Sequence, residues 1–187
     1  MVASFNAIKF MESNVELDSY SSSKGFLGYC NSIVGWGDQR CIDAFIEMLT
    51  LLVPHEIVVS SIRIHGDLQE HAETYELSED DIQVRDRLIE QGLILNVDSD
   101  EENESFHFEG TVSRAVLRDF VLYQSSIGEL SYHGFITNSD SELIIYPHDD
   151  CGLGFIISDK TKKKLYNSEL QECAKRYSEI LEFKLNE

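Results

Sequence analysis

The stretch LSYHGFITNSDSELIIYPHDDCGLGFIIS, Leu130 to Ser158, decides the fold. It holds three short runs rich in β-branched and aromatic residues: Leu130 to Thr137, Glu142 to Tyr146 and Leu153 to Ser158. Asn138-Ser139-Asp140-Ser141 and Pro147 to Gly152 separate them, and both are turn compositions, because Asn, Asp and Gly accept turn geometry at little cost. Three strands on tight connections read as an antiparallel meander. Downstream, Ser168 with Gln171 reads as a capping box that opens a helix. Leu170, Cys173, Ala174, Tyr177, Leu181 and Leu185 then share one face, which would pack on the sheet.

Upstream of the meander the same period arguments apply. Asp38 is placed as an N-cap, and Cys41, Ile42, Phe45, Met48, Leu49 and Leu52 recur at helical spacing until Pro54. Glu56 to His65 alternates as one strand. Ser78 caps a second helix whose first turn holds Glu79, Asp80 and Asp81, acids that suit the positive end of the helix dipole, and Gly92 closes it. Leu93 to Val97 reads as a short strand, with Phe106 to Glu109 pairing back across the loop between. Val112, Val116, Phe120 and Tyr123 share a helical face, although Ser113 to Gln124 also reads as extended. Ala3 to Phe10 reads as a first strand and Ser19 to Gly28 as a loop. The sum is an α+β fold, a largely antiparallel sheet with helices packed on one side. At 187 residues and 42 % apolar content one core is affordable. The chain is read as a single domain over 1–187, with residues 98–105 as the point of possible subdivision.

Charge is the anomaly. Thirty-four acids against 15 Lys and Arg leave a net charge of −19. That sign excludes nonspecific binding to DNA, RNA or an anionic membrane. No window of about 18 apolar residues suggests a transmembrane helix, and no basic start followed by an apolar run suggests a signal peptide. Cys30, Cys41, Cys151 and Cys173 contain no C-x-x-C pair, so free thiols in a reducing cytoplasm are expected.

The acids are concentrated. Residues 66–109 carry 15 of them against only Arg85 and Arg87, which places −13 of the −19 in this quarter of the chain. A solvated, solubilising surface is the plain reading. The sharper one is a docking face for a cationic partner, since opposed potentials raise association rates and exclude wrong partners. Its candidate residues are Asp67, Glu70, Glu73, Asp80, Asp81, Asp98, Asp100, Glu101, Glu102 and Glu104, with Tyr75 as an aromatic anchor. Phe106 and Phe108 alternate as strand residues and suit a core instead.

Catalytic patterns are sparse. The six histidines show no H-E-x-x-H spacing, and neither Gly35-Trp36-Gly37 nor Gly152-Leu153-Gly154 continues as a phosphate loop. His148-Asp149-Asp150, followed by Cys151, has the donor types of a metal site, and His65, Glu70 and His71 those of acid–base groups. A turn between strands explains the first cluster more simply. No cofactor is implied.

The run from Leu143, LIIYPHDDCGLGF, and the amphipathic segment that follows it to Leu185, together with the concentrated acidic segment, resemble immunity proteins of bacterial polymorphic toxin systems, including contact-dependent growth inhibition. That resemblance implies a stoichiometric inhibitor of a cationic toxin domain, commonly a nuclease, with carboxylates standing where phosphates would. It carries no individual binding residue across. Two other readings stand beside it: a mimic that binds a host DNA-binding protein, and a small metal-dependent or acid–base enzyme using His148, Asp149 and Asp150.

Overall fold

A computed structural model describes residues 6–35, 38–65, 78–97, 106–127, 133–138, 142–148 and 150–186. The first half contains helix α1 (Ala7–Asn14), strand β1 (Phe26–Ser32), helix α2 (Gln39–Leu52), strands β2 (Ile57–Ser60) and β3 (Ile62–His65), and helix α3 (Glu79–Glu90). Strands β4 (Ile94–Val97) and β5 (Phe108–Gly110) follow, then helix α4 (Arg114–Leu122) with a π-helical turn over Tyr123–Ile127. The chain ends with β6 (Gly134–Thr137), β7 (Leu143–His148), β8 (Gly152–Ile157), helix α5 (Lys163–Arg176) and β9 (Leu181–Leu185).

Seven strands form one antiparallel sheet in the order β5-β2-β6-β7-β8-β1-β9, and β3 and β4 form a separate parallel pair. The meander expected at the C-terminal half is β6-β7-β8. Its register sets the two faces. Ile136, Ile145, Leu153 and Phe155 point to the larger core, where α2, α3, α4 and α5 supply Phe45, Leu49, Leu88, Phe120 and Leu170. Phe135, Ile144, Tyr146 and Ile156 point the other way, onto Ala7 and Met11 of α1. Central strands buried on both faces read as continuous apolar runs, which is why Leu143 to Tyr146 shows no alternation. The fold is α+β; four helices cover one face of the sheet and α1 covers part of the other.

Several local expectations give way. Ala3 to Phe10 does not form a strand; among the described residues, Ala7–Asn14 is helical. Asn6 accepts from the Lys9 amide at 2.7 Å, and the Glu109 carboxylate accepts from Ala7 N at 3.1 Å, so orphan amides of the first turn are satisfied. Glu56 to His65 is two strands, broken at Ser61, whose amide bonds the His133 carbonyl at 2.9 Å. The second half leaves the main sheet to pair with β4. Phe108–Gly110 pairs with β2 and not across residues 98–105.

Ser168 does not open the last helix, which starts at Lys163 and stops at Tyr177. Leu181 and Leu185 therefore belong to β9, paired with β1, where Leu181, Phe183 and Leu185 face the core. Spacings of four satisfy a helix face and a strand face alike, so the periodicity did not separate the two. The loop expected over Ser19 to Gly28 already contains the start of β1. Gly28 sits at φ +133°, and a Cβ there would lie 2.2 Å from the Lys184 carbonyl oxygen. Only glycine lets β9 close on β1 at that point.

Candidate functional site

The acidic quarter is built around β3, α3 and β4. Ser78 and Asp81 make a reciprocal capping box. The Asp81 amide donates to Ser78 Oγ at 3.2 Å, and Asp81 Oδ2 accepts from the Ser78 amide at 3.1 Å and from its hydroxyl at 2.7 Å. Of the two docking candidates among the described residues, Asp81 is thus engaged in its own helix start. Asp80 is exposed, as are Glu79 and Glu90. Glu90 lies in the last turn, where the helix dipole disfavours an acid.

Both arginines of this quarter are engaged in ion pairs. Arg85 has only 4 % of its side chain exposed and reaches Asp86 at 3.2 Å. Its charge also faces Tyr123, whose hydroxyl burial pushes up to about 12 against that pull. Arg87 forks onto Asp119 of α4, Nε to Oδ2 at 2.7 Å and Nη2 to Oδ1 at 3.0 Å.

Asp67, Glu70, Glu73, Tyr75, Asp98, Asp100, Glu101, Glu102 and Glu104 lie outside the described residues. What the structure places is where their segments attach. β3 and β4 pair in parallel with His65 opposite Val97. Residues 66–77 continue from the first and 98–105 from the second, so two segments that start 32 residues apart leave from neighbouring strand ends. They hold nine Asp and Glu and no Lys or Arg. The far side of 98–105 is tied down as well: the His107 amide donates to Ser60 O at 3.0 Å, and His107 Nε2 lies 2.9 Å from Leu93 O. Ser60 Oγ donates to the same carbonyl at 2.9 Å. Glu109, one of the acids of this quarter, is occupied at the start of α1.

Of the His148 cluster, His148 ends β7 and Asp150 lies in the turn before β8. His148 packs edge-on against Tyr29, with ring centroids 6.1 Å apart. Its ring lies across Gly152, where a Cβ would come within 2.3 Å of it, and Tyr146 lies across Gly154 in the same way. Asp150 is exposed, and Asp149 lies outside the described residues. His65 lies in β3, while Glu70 and His71 are outside the described residues. Among the described residues no three His, Cys, Asp or Glu side chains are arranged to hold a metal ion.

Sequence spacing gave no sign that the four cysteines meet. They arrive from β1, α2, the β7–β8 turn and α5, all buried and none in a disulfide. Cys41 and Cys151 sulfurs stand 3.9 Å apart. Burial pushes the Cys30 thiol far up; the hydrogen bond with Cys151 and then burial do the same for Cys41. Such thiols are poor nucleophiles and suit small core residues.

Comparison with protein-family models, curated proteins and solved structures returned no match. Among the described residues no helix is long and apolar enough to cross a membrane.

Proposed function

We propose that the chain is an immunity protein that binds and neutralises a cationic toxin domain, a nuclease above all, by covering its substrate surface with carboxylates. It acts in the cytoplasm as a stoichiometric inhibitor and performs no chemistry. One observation carries the reading: the His65–Val97 register tethers both acid-only segments to adjacent ends of one parallel strand pair. Nine carboxylates carried on segments that leave adjacent strand ends would give a potential of several kT, a field suited to a surface evolved to hold phosphates. Solubility alone needs no such concentration and is served by dispersed charge. Only Arg85 and Arg87 stand against the fifteen acids of residues 66–109.

The test uses the immobilised full chain to capture basic proteins from a lysate of its source organism, with elution along a salt gradient. The expected result is one basic protein released only at high salt. Its association rate should fall about tenfold or more with charge reversal of Asp100, Glu101 and Glu102, and further with Asp67, Glu70 and Glu73 reversed as well. Nothing retained at low salt, or capture indifferent to both sets of reversals, overturns the reading.

A further inference from the structure

We infer that Cys41 and Cys151 form an oxidation latch: when the first turn of α2 frays, a peroxide joins them in a disulfide that ties the start of α2 to the β7–β8 turn. Two buried thiols 110 residues apart in the chain are brought to 3.9 Å, sulfur to sulfur, and the docking reading uses neither. A disulfide needs about 2 Å, so the gap closes with a movement of about 2 Å. The turn side of the pair is fixed, because Cys151 O accepts from the Ser32 amide of β1 at 2.9 Å. The α2 side is the one that opens. Cys41 is the third residue of α2, and its amide donates to Asp38 O at 2.9 Å. Asp38 Oδ1 accepts from the Arg40 amide at 2.9 Å and holds the same turn. Gln39 and Arg40 are exposed beside it. Helix ends fray, so Cys41 has a local route to solvent. Cys30 has none of this kind, since β1 lies between β8 and β9.

The contact with Cys151 and burial keep Cys41 protonated while the turn is closed, so the closed state reacts slowly and the latch responds to opening. On fraying, the Cys41 sulfur attacks one oxygen of hydrogen peroxide. The O–O bond breaks, the departing hydroxide takes the thiol proton as water, and Cys41 is left as a sulfenic acid. When the turn re-forms, the Cys151 sulfur attacks the sulfenic sulfur. The S–O bond breaks, and the second hydroxide leaves as water with the Cys151 proton. Two thiols are oxidised and one peroxide is reduced to two waters. A small thiol reopens the bond by exchange, so a reducing cytoplasm resets the latch. The closed loop contains both acid-only segments, residues 66–77 and 98–105. The bond therefore restricts the unfolded chain across that whole quarter and holds the fold through oxidant exposure.

The latch is independent of the toxin-binding reading, and its test needs no partner. The full chain is treated with excess hydrogen peroxide, the remaining thiols are alkylated, and linked peptides are mapped by mass spectrometry. The expected result is a loss of two hydrogens, a Cys41 peptide joined to a Cys151 peptide, and full reversal by dithiothreitol. In urea the oxidised chain should show an unfolded fraction about tenfold or more below that of the reduced chain. Asp38→Ala removes the cap of α2 and should speed linkage about fivefold. Ser78→Ala removes the corresponding cap of α3 and should leave the rate unchanged, because access is by local fraying and not by global unfolding. The link is read in the parent chain, so the result does not depend on a cysteine variant folding. Chains that only gain oxygen, a link through Cys30 or Cys173, no link at all, or equal rates in Asp38→Ala and the parent overturn the proposal.

Discussion

The buried thiols give the protein a pH dependence of definite sign. Burial holds Cys30 protonated well beyond the usual thiol range, the contact with Cys151 together with burial does so for Cys41, and burial raises Cys173 in the same direction. In the unfolded chain the same groups titrate near pH 8.5. Above that pH the native state binds more protons than the unfolded state, so stability falls as pH rises. Each thiol removes about 1.4 kcal/mol per pH unit once the unfolded form is ionised. Tyr123, pushed up to about 12 by burial, adds to the loss above pH 10. Urea midpoints measured at pH 7, 8.5 and 9.5 should drop progressively, and less steeply in Cys30→Ala than in the parent. A flat profile over that range contradicts the protonated, buried cluster.

At the scale of elements, Glu109 separates structural from docking acid. Its carboxylate is bonded to Ala7 N and Ile8 N at the start of α1, so Glu109→Ala should cost about 1 kcal/mol, the usual price of a lost N-cap. Hydrogen exchange should speed up at the Val15 amide, bonded to Met11 O, and leave β7 and β8 unchanged. Loss of partner capture without loosening of α1 would mean that Glu109 belongs to the docking face. This cap was illegible in the sequence because donor and acceptor are 102 residues apart. The elements that were legible carry their determinants locally: α2 with its Asp38 cap and eight buried residues, α3 with its capping box, and the three meander strands. Those misread depend on distant partners. β9 owes its strand state to β1, and β1 to β8 and β9, while the break at Ser61 owes its position to the His133 carbonyl. The acid-rich quarter was visible as composition. The parallel pairing that brings its two segments together was not, because Ile62 to His65 reads as a continuation of β2.

At the scale of the whole molecule, net charge and ion pairing act in opposite directions. Eight ion pairs occur among the described residues, and apart from Arg85 with Asp86 they lie at the surface. Pairs of that kind contribute about 0–1 kcal/mol each, and salt weakens them. Even if all 15 Lys and Arg were paired, 19 carboxylates would remain uncompensated, and their mutual repulsion opposes the compact state. The repulsion is summed over many pairs and acts across distances comparable with the screening length, about 30 Å at 0.01 M salt and about 8 Å at 0.15 M. Screening it should outweigh the loss at the surface pairs. Raising NaCl from about 10 to 150 mM at pH 7 should therefore stabilise the fold by about 2 kcal/mol, a rise in Tm of about 4–8 °C for a chain of this size. Potassium chloride should act equally, since the effect is ionic strength and not a bound ion. Charge reversal of Asp100, Glu101 and Glu102 should raise Tm at low salt and flatten its salt dependence, because it removes part of the same repulsion. A Tm that falls with salt would mean that the ion pairs dominate and that the acidic segments impose no cost on folding.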